Sequence, residues 1–179
     1  MAARAQQGGV NLGLQENIEI WWQGYSGLSL VDLQKKLVTL LTVSSAPDIL
    51  IIHCGGNDLG KYPVQKLRCF LCSLVQFLNE NFSKAHIIWS QILPRTNWRY
   101  SENNAAMHRV RQRLNNHAAN LFIDRQGTYL KHPSLQVSGP ICYKPDGVHL
   151  NQYGNELFLH HIAKAIQYVV NNGHTRIVE

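Results

Sequence analysis

A chain of 179 residues, 45% apolar and 16% charged, is long enough to bury one substantial core and too short for two ordinary domains. Its composition excludes a disordered chain, and no apolar run approaches the roughly 20 residues of a membrane span. The net charge of +6 favours anionic partners, and the first nine residues lack the apolar core of a signal peptide, so an intracellular, cytoplasmic location is expected.

Asn17–Trp22 (NIEIWW) is the first strand candidate. The next pattern, Ser29–Ser44, is helical, with Ser29 as N-cap and Asp32 set to complement the free amides of the first turn. Asp48–His53 (DILIIH) is a continuous apolar run, as in a strand buried on both faces. Pro63 opens a helix over Val64–Phe82. That helix contains Cys69 and Cys72; with no second cysteine pair to complete a zinc site, they read as buried helical thiols of a reduced protein.

Ala85–Gln91 is the third strand, and a helix from Ser101 to about Ala119 follows the loop Ile92–Arg99. The helix carries Arg109, Arg111 and Arg113, which its period spreads around the cylinder: a solvated face, or a contact for nucleic acid. Leu121–Asp124 (LFID) is the fourth strand candidate, Gln126–Pro145 is mostly loop, and Gln152–Asn172 is the last helix, stopped by Gly173. With no linker in sight, 1–179 reads as one domain. Alternation of strand and helix over short connections predicts an α/β fold, a three-layer α/β/α sandwich on a parallel, flavodoxin-like sheet. Ligands in such sheets bind beyond the carboxyl ends of the strands, where Gly24–Gly27, Gly55–Asp58 and Pro94–Trp98 should converge and Asp146–His149 can join them.

Two segments carry chemistry. Asp146 and His149 stand three apart just before a helix, so the carboxylate can accept from Nδ1 and leave Nε2 as a base. A plain helix-capping aspartate beside a surface histidine is the alternative. Asn57 follows Gly55 and Gly56 at the exit of the most apolar strand, and its amide can point donors into the rim, as an oxyanion hole requires. Asp58 reads as a brace for that loop, and a simple Gly-Gly-Asn turn is the alternative. Gly27, two residues before the capping Ser29, can present a backbone N–H, though a tight turn fits equally. Trp22, Tyr25 and Trp98 could line a pocket or simply pack. A nucleotide-binding reading finds no Gly-x-Gly-x-x-Gly after a strand and no phosphate loop.

Gly27, Gly55-Gly56-Asn57-Asp58 and Asp146-Gly147-Val148-His149 resemble, in order and spacing, the second, third and fifth blocks of the SGNH (GDSL-type) esterases, over roughly Gly9 to Gly173. Asn11–Leu14, Trp21–Leu30, Leu93–Arg95 and Asp146–Phe158 look like the SGNH domains of vertebrate retroelements and genes derived from them. The resemblance implies hydrolysis of small acyl esters through an acyl-serine, without metal or cofactor. Gly27 and Asn57 would be oxyanion donors, with His149 as base and Asp146 to orient it. It also implies a first block, Gly-Asp-Ser, that this sequence does not contain. Met1–Gln7 resembles the helix that follows the family's nucleophile, so the nucleophile block is expected to be missing, and with it the central strand of a 2-1-3-4-5 sheet. Ser26 is the best local substitute. The expectations are therefore an inactive esterase domain or, in its place, a pseudoenzyme that binds nucleic acid or an acyl lipid, with low stability or association by strand pairing.

Overall fold

The computed structural model describes residues 12–137, 139–173 and 177–178. Among the described residues, five helices and four strands follow one another: α1 Leu30–Leu41, β1 Ile49–Ile52, α2 Val64–Asn81, β2 His86–Ser90, α3 Asn104–Asp124, β3 Thr128–Leu130, α4 Pro133–Val137, α5 Gln152–Asn172 and β4 Ile177–Val178, with a 3-10 turn at Gly139–Cys142. The strands form one parallel sheet in the order β1-β2-β3-β4.

Adjacent side chains of β2 point to opposite faces and so divide the core. Ile87 and Trp89 pack with α1, α2 and α3 through Leu30, Leu67, Leu71, Leu114 and Phe122. Ile88 packs with Leu130 and with Phe158, Ile162 and Ala165 of α5 on the other face. Two helical layers thus enclose the sheet, and the expected α/β/α arrangement is present. Local signals set the helix ends. Ser29 Oγ accepts from Asp32 N at 3.2 Å, Asn103 caps α3, and Asn151 Oδ1 accepts from Gly154 N at 2.9 Å at the start of α5. No described helix is long and apolar enough to cross a membrane.

Several expectations are corrected. Asn17–Trp22 pairs with no strand among the described residues; Ile18, Ile20 and Trp22 instead lay one face against the α5-side core. Alternation specifies a buried face, and a ladder needs a partner edge as well. Leu121–Asp124 is the last turn of α3, because Leu114, Ala118 and Phe122 continue one buried stripe at helical spacing. The strand comes later, at Thr128–Leu130, inside the segment expected as loop. Cys69 and Cys72 are helical but exposed, since the buried stripe of α2 is Leu67, Leu71, Leu74 and Leu78. Arg111 lies on the buried face of α3, 5% exposed, with Nη1 donating to Ile92 O at 3.1 Å, so it is no part of a surface patch. Arg109 and Arg113 are exposed. The helix resemblance of Met1–Gln7 lies outside the described residues.

Candidate active site

The segment before α5 is a closed loop built around its own carboxylate. Tyr143 and Leu150 form an antiparallel bridge, and Lys144 N donates to His149 O at 2.8 Å. At its tip Asp146 Oδ1 accepts from the N–H groups of Val148 and His149, both at 2.9 Å, while Oδ2 meets His149 Nδ1 at 2.7 Å. These bonds, first the backbone N–H of His149 and then its ring, hold the Asp146 carboxyl well below the usual carboxylate range. An ionised Asp146 places the imidazole proton on Nδ1 and leaves Nε2 as acceptor. The His149 side chain is 70% exposed, as a group that must reach a ligand can be.

The loop is tied to its neighbour by Thr96, whose N–H donates to Gly147 O at 2.9 Å. Gly147 stands at φ +66°, and a Cβ there would collide with Thr96 Oγ1, so both conformation and space demand glycine. The next link is Arg95, whose Nη2 donates to Asn57 Oδ1 at 3.3 Å. Asn57 Nδ2 in turn donates to Leu28 O at 3.1 Å, next to Gly27 at φ +70°. Contacts therefore run from Gly27-Leu28 through Asn57, Arg95 and Thr96 to Gly147, and the four loops meet on one rim. One amide hydrogen of Asn57 is committed to Leu28, which fixes the direction of the other. Asp58 is fully buried, and its Oδ2 accepts from Leu30 N at 3.0 Å, the first amide of α1. It braces the Gly55-Gly56 turn against α1, and burial, its largest influence, raises its pKa. Asp58→Ala is expected to cost about 1–3 kcal/mol in urea unfolding by orphaning that amide, and Asp58→Asn, which keeps an acceptor, less.

The family model for GDSL-like lipases and acylhydrolases matches residues 2–162, nearly the whole chain. This chain belongs to that family. Solved structures with the same fold include a GDSL-like lipase from Bacteroides thetaiotaomicron, at 18% identity over 82% of this chain and 75% of that one, TM-score 0.62. The psychrotrophic esterase EstA from Pseudoalteromonas sp. shares 20% identity over 82% of this chain and 75% of its own, TM-score 0.60. A family 3 carbohydrate esterase from Clostridium thermocellum shares 18% over 95% and 83%, TM-score 0.61. A search of curated proteins gave no match.

In this GDSL-like chain, Ser26 is exposed and makes no hydrogen bond to His149. Trp98 is buried packing, and Tyr25 is at the surface. Two features escaped the sequence reading. Arg95 stands in the rim loop and in the resembling segment Leu93–Arg95, but neither gives it a role. The other is a polar chain beneath the rim. His53 Nδ1 lies 3.0 Å from Ser90 Oγ, which lies 2.7 Å from His132 Nε2, and His132 Nδ1 lies 3.0 Å from His161 Nδ1. His132 is fully buried and stacked on Phe158, with ring centroids 4.7 Å apart. Desolvation, then the charges of His53 and His161, push its pKa down to about 2. For His53 desolvation and then Arg95 bring it down to about 4. These histidines come from the residue after β1, the segment after β3, and α5, so no spacing along the chain announces them. Among the described residues no group of three or more His, Cys, Asp or Glu side chains is placed to hold a metal ion.

Proposed function

We propose that this chain is an SGNH-type ester-hydrolase domain whose base and oxyanion donors are assembled and whose serine nucleophile is not supplied by its own residues. The observation that carries the reading is the 2.7 Å contact of Asp146 Oδ2 with His149 Nδ1, beside a rim shared with Asn57. In this reading Asp146 holds the tautomer, His149 Nε2 takes a proton from a hydroxyl, and Gly27 N–H with the Asn57 amide receive the charge of the tetrahedral intermediate. The ligand is a small acyl ester or a lipid-like acyl group. Gly-Asp-Ser does not occur in the sequence, and Ser26 is not bonded to the base. Losing the nucleophile alone removes roughly a million-fold in the best-studied serine protease.

Hydrolysis of p-nitrophenyl acetate tests this directly. The native chain and His149→Ala are expected to give the same rate, within a few-fold of the uncatalysed one. A rate at least 100-fold higher that disappears in His149→Ala would show that this chain catalyses hydrolysis through His149, and would overturn the inactive reading.

A second reading, a non-catalytic module that binds nucleic acid, keeps Arg109 and Arg113 on the exposed side of α3 but has lost Arg111 to the core. It requires salt-dependent retention on single-stranded nucleic acid that is abolished in the Arg109→Glu, Arg113→Glu double variant. The narrower kinship with retroelement SGNH domains, association by strand pairing and an intracellular location belong to the first reading as expectations.

A further inference from the structure

Arg95 is the residue of the rim that the hydrolase reading leaves without a task. Its guanidinium lies on Gly56, where a Cβ would stand 2.7 Å from Nη2, so glycine at 56 makes the space it occupies. It sits 5.7 Å from the centre of the Trp98 ring and donates to Asn57 Oδ1 at 3.3 Å. Among the described residues no carboxylate lies within ion-pair distance of it. The acid that acts on it electrostatically, Asp146, has both oxygens engaged within its own loop. Arg111, which acts on Tyr143 as Arg95 does, is buried with its Nε unpartnered and has no acid partner either. Positive charge therefore collects at this end of the sheet with no ion pair to it among the described residues, and Asp146 acts on it only at a distance.

We propose that Arg95 and Asn57 form a recognition site for a small carboxylate, the acid half that ester hydrolysis releases. The inference rests on the hydrolase reading for the place of the acyl group. A guanidinium is a planar fork that meets a carboxylate with two parallel N–H bonds, and one of its five N–H groups is already spent on Asn57. That bond also holds the Asn57 amide with Oδ1 towards Arg95 and Nδ2 towards Leu28 and the rim. The second Nδ2 hydrogen is then available to the same ligand. Arg95 is thus a binding residue for the acid and a positioning residue for Asn57.

The test is a titration of the full chain with sodium acetate, against sodium chloride at matched ionic strength, followed by the NMR signals of Arg95 Nε and the Asn57 side-chain amide. Saturable shifts of both with acetate, and not with chloride, are expected. Arg95→Gln should weaken acetate binding at least tenfold. Arg95→Lys, which keeps the charge and loses the fork, should fall between. The two signals are read in the native protein, so the result does not hang on how well a variant folds. Equal responses to acetate and chloride, or unchanged binding in Arg95→Gln, would overturn the proposal. Acetate binding without ester turnover leaves this site standing whatever becomes of the hydrolase reading. His149-dependent turnover without acetate binding removes this site alone.

Discussion

As pH falls from 6.5 to about 4 the unfolding free energy of the native chain will fall by up to about 1.4 kcal/mol per pH unit for each histidine that the fold keeps neutral. The cause is the chain from His53 through Ser90 and His132 to His161. In the unfolded chain these rings take up protons near their ordinary pKa of 6.5, whereas in the fold His53 waits until about 4 and His132 until about 2. A base with a lowered folded pKa leaves the unfolded state holding more protons, so stability is intact above 6.5 and is lost as pH falls below it. His53 is exposed, so solvent screens much of its share, and the fully buried His132 carries the larger one.

Other charged and titratable groups add to or offset this slope. Arg95 on the side of His53, and His160 and Lys164 on the side of His161, oppose protonation further. Asp58, with a raised pKa, binds its proton earlier in the fold than outside it and offsets part of the slope. Asp146, with a lowered pKa, loses its contribution only below the range of the titration. Urea unfolding at half-unit pH steps, in the native chain and in His132→Gln, isolates the effect. The variant should lose about one histidine's slope whatever its stability at pH 7. Parallel pH profiles for the two proteins would refute the assignment.

Phe122→Ala is expected to cost about 3–5 kcal/mol, the range for emptying a buried aromatic site. Phe122 is fully buried at the end of α3 and stacks on Trp89 of β2, with centroids 4.8 Å apart and planes at 17°. Against a usual domain stability of about 5–15 kcal/mol, the variant should stand close to the edge of folding. Leu121 and Ile123 are only half-buried, so their alanine variants should cost clearly less. The same pattern rules out Leu121–Asp124 as a strand buried on both faces, which would make the three losses comparable. Denaturant midpoints of the three variants decide the matter, provided their m-values agree.

What could be read from the sequence was whatever lies close along the chain. Asp146 and His149 are held by a loop of a few residues. Ser29 caps α1 as its position suggests, α5 ends at Gly173, and the apolar run of β1 declares itself by composition. Block order and spacing sufficed to reach the GDSL-like family. Where a short apolar run stood alone, the reading failed, because four such residues fit a strand or a helical turn equally until Leu114 and Ala118 set the phase.

The sequence by itself determined the α/β class and the family, and it singled out the residues proposed as base and oxyanion donors, because these depend on local backbone geometry and short spacings. Only the tertiary structure decided that Arg111 is a core residue and Cys69 and Cys72 surface ones, since burial depends on which face of a helix meets the sheet. It alone set Arg95 against Asn57 and joined His53, Ser90, His132 and His161. Those contacts link residues tens of positions apart, and parallel crossovers bring such residues together without leaving a pattern in the chain.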